Sequence, residues 1–245
     1  MKVISNIIML VRMAMIHPGL VTLAWNLKRT KRTFLSYAAL YSLVEGFKLE
    51  MERRDAEQIH VAEFGVGRGG SAILLAWLVE RYGGKLTLYD MFGRIPAPTE
   101  IDGVRANQRY DDILTKESSE YYGNIKDLLS VITRELYEVC NPTRIDFVPG
   151  KYEETLVDAQ DTRSFNLVHI DCDWYESSMA VYKYLQSRVS PEAIIQVDDY
   201  SNWDGSKKAF QDTGWLSQYR TKLVGGVLVI DTGNKVDLFD NDGYC

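Results

Sequence analysis

The sequence is poor in the residues that staple or chelate. Its three cysteines, Cys140, Cys172 and Cys245, are scattered, odd in number and never in C-x-x-C spacing. That excludes a disulfide scaffold and a structural zinc site, and it points to a reducing, cytoplasmic setting. Three histidines, His17, His60 and His169, are too dispersed for a histidine metal cluster. Positive charge is short as well: 28 Lys and Arg stand against 34 Asp and Glu, a net charge of −6. That balance argues against a nucleic-acid-binding protein. No low-complexity tract and no repeat at ~20–50 residues is present. Apolar runs fall short of the ~20 residues that span a bilayer. The apolar-rich segment 1–27 is broken by Arg12 and by His17-Pro18, and no small-residue cleavage site is obvious.

What remains is an ordinary globular composition, 46% hydrophobic and 25% charged, that can bury a core. Segment 1–27, followed by Lys28-Arg29-Thr30-Lys31-Arg32, reads as one or two helices packed on the core or on a second subunit. An uncovered apolar patch there implies a homo-oligomer. An interfacial helix with a basic flank touching membrane is the sharper alternative. Phe34, Tyr37, Ala38, Tyr41, Val44 and Phe47 keep helical spacing, and charged residues 50–58 read as a linker. The chain thus divides into an N-terminal helical cap, 1–58, and a main domain, 59–245.

In the main domain strands are predicted at 59–64, 85–90, 144–148, 165–171 and 193–197, and helices at 71–82, 124–140, 176–188 and 207–219. Residues 93–123 read as a partly structured lid or substrate loop. Segments 227–231 and 235–239 read as a terminal hairpin. Alternating strands and helices imply an α/β fold with a mostly parallel sheet, and the two closing strands imply an antiparallel last strand.

Chemistry-bearing residues cluster at strand ends. Glu63-Phe64-Gly65-Val66-Gly67-Arg68-Gly69-Gly70 lies between a strand and a helix, where glycines let a ligand reach backbone N–H groups. Gly65, Gly67 and Gly70 satisfy G-x-G-x-x-G, and Asp90 stands where a ribose-binding acid belongs. That pattern fits NAD(P) as well as S-adenosyl-L-methionine. Glu63 at the strand tip favours the cationic sulfonium ligand over a pyrophosphate. His169-Ile170-Asp171-Cys172-Asp173 and Val197-Asp198-Asp199-Tyr200 both follow parallel strands, so four aspartates meet at the ligand-binding edge. Like charges held that close need a cation, and oxygen-only ligands point to magnesium (Mg2+). By strand parity Cys172 points away from the flanking aspartates. His169 shares their parity and reads as a core residue.

These motifs, with Thr33-Phe34-Leu35-Ser36, Arg68-Gly69-Gly70-Ser71, Tyr89-Asp90-Met91-Phe92 and Tyr175-Glu176-Ser177, resemble the macrocin O-methyltransferase family of antibiotic biosynthesis. The resemblance implies a class I methyltransferase (Rossmann-like) fold with seven strands, S-adenosyl-L-methionine as donor, Mg2+, and a hydroxylated, sugar-bearing small molecule as acceptor. It implies Asp171, Asp198 and Asp199 as metal ligands and Asp173 as general base. Ser36, Glu63, Gly65, Gly67, Gly69, Ser71 and Asp90 would then contact the methyl donor. Here Phe92-Gly93-Arg94-Ile95-Pro96 departs from the family's Phe-x-Gly-Leu-Pro. An NAD(P)-dependent oxidoreductase or epimerase, or a cofactor-binding or membrane-peripheral protein without chemistry, are the competing readings.

Overall fold

The N-terminal helices are set by their caps. The computed structural model describes residues 2–115, 125–157 and 162–233. Helix α1 (Lys2–Ile16) stops before His17-Pro18, and α2 (Pro18–Arg29) starts there, with Pro18 in its first turn and His17 Nδ1 accepting from Gly19 N at 3.0 Å. Ser36 caps α3 (Tyr37–Arg53) by accepting from Ala39 N at 3.1 Å. The expected linker at 50–58 is therefore too long: α3 continues through Arg53, because Glu50 is buried and salt-bridged to Arg54 at 2.8 Å.

Strand β1 (His60–Phe64), helix α4 (Gly70–Tyr82) and β2 (Lys85–Asp90) follow closely the predicted bounds. The excursion from residue 93 is more ordered than its Pro- and Gly-rich sequence suggests, holding a 3-10 turn and α5 (Gly103–Thr115). Then come α6 (Leu128–Tyr137), β3 (Ile145–Pro149), the short α7 (Tyr152–Thr155), β4 (Phe165–Ile170), α8 (Tyr175–Leu185) and β5 (Val189–Val197). The helix predicted at 207–219 is α9 (Asp204–Thr213) plus a separate 3-10 turn, with Gly214 at φ +71° between them.

The closing hairpin is shifted one strand toward the N-terminus. It joins β6 (Arg220–Val224) to β7 (Val227–Asp231) through Gly225-Gly226, both at positive φ. The expected arm at 235–239 lies outside the described residues. Charged and half-exposed, β6 hides its strand identity because it is a sheet edge, where one face is solvated.

The sheet order is β3-β2-β1-β4-β5-β7-β6, with β1 to β5 parallel and β7 antiparallel to both neighbours. Chain direction across the sheet reverses between β1 and β4, which is the ligand-binding crevice of open α/β sheets. One face packs Val61, Leu88, Leu167 and Ile194 against α1–α4 and α6, and the other packs Phe64, Tyr89, Val168 and Ile195 near α8 and α9. Met9, Met13, Leu20, Ala24 and Leu27 join the first core, so the N-terminal helices share it with the sheet.

Candidate active site

Backbone hydrogen bonds continue the sheet one step past its strands. Gly65 N donates to Tyr89 O, Asp171 N to Phe64 O and Asp198 N to Ile170 O, at 2.8–2.9 Å. The tips of β1, β4 and β5 are thus locked in line. Gly65 sits at φ +92°, and a Cβ there would lie 1.8 Å from Asp171 O, so no side chain fits. Gly67 (φ +52°) and Gly69 (φ +80°) complete the turn, and Gly69 caps α4. Gly65, Gly67 and Ser71 line a cavity of about 600 Å³; Gly69 faces Ile132 instead.

Asp90 also lines this cavity, but its carboxylate braces the turn: Oδ2 accepts from Val66 N (2.6 Å) and Gly67 N (3.2 Å), and Oδ1 from Phe92 N (2.6 Å). Burial pushes its carboxyl up, against three amide bonds that favour the anion.

Two expected donor contacts are elsewhere. Glu63 is 0% exposed, does not line the cavity, and meets His169 Nδ1 at 2.8 Å beneath the sheet. Odd positions of β1 face the helices α3 and α4, so the acid follows the strand's alternation rather than its tip. Ser36 is likewise spent as a cap and donates to Gly225 O at 2.9 Å. The cavity wall before it is formed by Arg32, Thr33, Phe34 and Leu35. His169 is the core residue expected, and Cys172 is buried with its thiol toward Phe64 O at 3.6 Å.

The acidic tips do converge. Carboxylate oxygens of Asp171, Asp198 and Asp199 lie within 4.8 Å of one another. Burial, then mutual repulsion, holds Asp171 and Asp199 well above the usual carboxylate range. Burial also raises Asp198, against the charges of His169 and Lys28. Among the described residues no salt bridge neutralises the three. A crowded, all-oxygen trio with no salt bridge among the described residues fits a hard divalent cation.

Asp173 stands beside them in a left-handed turn at φ +58°. Its N–H donates to Asp199 Oδ2 at 2.9 Å, and Trp203 Nε1 donates to its Oδ1 at 3.0 Å. Burial lifts its pKa to about 6, with the Trp203 bond and the Arg109 charge opposing. The loop after β2 closes over this corner: Trp174 Nε1 donates to Pro96 O at 2.9 Å, Tyr175 N donates to Asp102 Oδ1 at 2.6 Å, and the Arg105 guanidinium lies 4.9 Å from the Trp203 ring. Arg105 and Arg109, one turn apart on α5, line the cavity with Trp174 and Trp203. Sequence reading missed these arginines and Lys28; only the i, i+4 spacing of Arg105 and Arg109 carried a signal.

Known proteins resemble the chain as follows. The profile of the family described as Macrocin-O-methyltransferase (TylF) matches residues 47–223. Among solved structures, the calicheamicin methyltransferase CalS11 is 19% identical, with a TM-score of 0.63 over 79% of this chain and 78% of that one. The O-methyltransferase NovP is 18% identical, with a TM-score of 0.66 over 82% and 81%. TomG from Streptomyces achromogenes, involved in tomaymycin synthesis and solved with SAM, is 15% identical, with a TM-score of 0.50 over 88% and 90%. At these identities the likeness is one of fold. No curated protein gives a significant match.

Proposed function

The chain belongs to the macrocin O-methyltransferase family and is an O-methyltransferase, and we propose that it methylates a hydroxyl of a sugar or glycosylated natural product with the help of Mg2+. The observation that carries this reading is the trio Asp171, Asp198 and Asp199, whose oxygens gather within 4.8 Å beside the glycine turn. The NAD(P) reading leaves that trio without a role.

S-adenosyl-L-methionine, the donor, supplies an electrophilic methyl on a sulfonium. Gly65, Gly67 and Ser71 offer it a close backbone approach at the start of α4, while Asp90 holds the turn open and keeps one lone-pair site, on Oδ1, for a ribose. Mg2+ held by Asp171, Asp198 and Asp199 supplies the positive charge that makes ionising a sugar hydroxyl feasible near neutrality.

Asp173 takes the hydroxyl proton. Trp203 occupies its Oδ1, which directs the incoming O–H to Oδ2. Burial holds its carboxyl above the ordinary aspartate range in the metal-free chain, which strengthens it as a base. The arginines of α5 orient the acceptor by charge, beside the Trp203 ring that Trp174 holds in place, which suits a sugar carrying an anionic group.

The test is methyl transfer from the donor to a panel of neutral and phosphorylated glycosides, before and after dialysis against a chelator. Activity that vanishes with the chelator and returns with Mg2+ supports the reading. Full activity in the chelator, or binding of NAD in preference to S-adenosylhomocysteine by calorimetry, overturns it.

A further inference from the structure

Helix α1 is apolar on two opposite faces, and the site chemistry uses neither. Met9 and Met13 bury one face in the core. Ile4, Ile7, Ile8, Val11 and Met15 form the opposite face, between 39% and 75% exposed. At 100° per residue those five side chains fall within an arc of about 100°, a continuous stripe along the helix. A monomeric protein rarely presents such a stripe to water.

The charge of the segment that carries the stripe points to its partner. Six basic residues and no acidic one precede Glu45, in a chain whose net charge is −6. Arg12 lies beside the Tyr41 ring, and Arg32 is engaged with Glu135. Arg29 and Lys31 are exposed at the end of α2, and the Arg29 guanidinium lies 5.0 Å from the ring of Trp25, itself 52% exposed. A second copy of the same segment would set like charges against each other across a two-fold interface. An anionic lipid surface takes both the apolar stripe and the basic flank with its interfacial tryptophan.

We propose that α1 is an in-plane membrane anchor that docks this protein onto anionic bilayers through Ile4, Ile7, Ile8, Val11 and Met15. The helix lies on the surface and does not cross it: no described helix is long and apolar enough to span. The inference stands on the surface alone and is independent of the methylation chemistry.

The test is co-flotation of the full-length protein with phosphatidylcholine vesicles, with and without a quarter phosphatidylglycerol. Binding to the anionic vesicles, weakened in high salt and reduced about tenfold or more by V11D, is expected. A blue shift of tryptophan emission on binding, lost in W25F, reports the flank. Because these side chains are exposed, both variants keep the native melting temperature. Absence of binding to either vesicle overturns the proposal, whether the protein is then a monomer or a dimer that V11D splits in light scattering. Binding unchanged by V11D overturns it too.

Discussion

The backbone N–H of Asp173 donates to Oδ2 of Asp199 over 2.9 Å, and Asp173 adopts a left-handed φ of +58° to make that bond. The proposed base and a proposed metal ligand are therefore one mechanical unit, although 26 residues separate them. A replacement at 173 acts on the base alone only if it tolerates this backbone, and asparagine does.

Asp173→Asn is expected to keep donor and Mg2+ affinity within a few-fold and to lower kcat by about 10²–10⁴. Calorimetry and steady-state kinetics on one preparation separate the two; near-native turnover removes Asp173 from the base role. Trp203→Phe deletes the hydrogen bond that favours the anion, so the acidic limb of the pH–rate profile moves to higher pH.

Metal-free protein is expected to lose stability as the pH rises. Asp171, Asp198 and Asp199 are held above their ordinary 3.8, and Asp173 is lifted to about 6. From about 4 upward the folded chain keeps protons that the unfolded chain has released, so ionisation favours unfolding through and beyond pH 6. Mg2+ reverses this by about 2.7 kcal/mol at a hundredfold excess over its dissociation constant. Melting curves with chelator or Mg2+ at pH 5 and 7.5 check it: the Mg2+-induced rise in Tm is larger at 7.5, and Asp171→Asn shrinks it.

Gly65→Ala is expected to be far worse than Gly226→Ala, though both glycines have positive φ. A Cβ at Gly65 meets Asp171 O at 1.8 Å, whereas nothing lies within 4 Å of one at Gly226. The second change costs about 1–2 kcal/mol of backbone strain. The first must also part the tips of β1 and β4, and is expected to abolish Mg2+-induced stabilisation. Equal denaturation midpoints for the two variants would contradict this.

Glu63→Gln is expected to leave donor affinity within a few-fold and to lower stability by about 1–3 kcal/mol, because it disturbs the buried hydrogen bond to His169. Urea melts and donor titration measure the two effects. A large loss of donor affinity without loss of stability would restore Glu63 to the donor site.

The aspartate tips were legible because two simple facts act together: acids directly follow apolar strands, and parallel strands end on one edge. Glu63 and Ser36 were misplaced because sequence proximity to the glycine turn says nothing of side-chain direction; alternation in β1 and capping of α3 decide it. Helix α5 was hidden by its surroundings. Its apolar residues do not sort by face: Ala106 and Ile113 are buried while Val104 and Leu114 are exposed, which leaves no clean periodic signal. Glu50 sits among charged neighbours that read as solvated, yet Arg53 and Arg54 allow its burial. Neutralisation by partners distant in sequence, such as the link from Arg53 to Asp231 at 3.1 Å, leaves no local trace.

The loop after β2 is clipped to the frame at Asp102. Asp102 reaches Tyr175 N and both donors of Thr99, and it fits only because Gly205 has no side chain: a Cβ there would lie 1.9 Å from Asp102 Oδ1. Arg105 and Arg109, proposed to orient the acceptor, thus ride on a cassette clipped to the sheet's edge. Descendants of one ancestor could diversify which natural product they decorate by rewriting that cassette, so long as the acid, its glycine niche and the indole at Trp174 were inherited together. An engineer swapping segments between relatives must move the clip with the cassette.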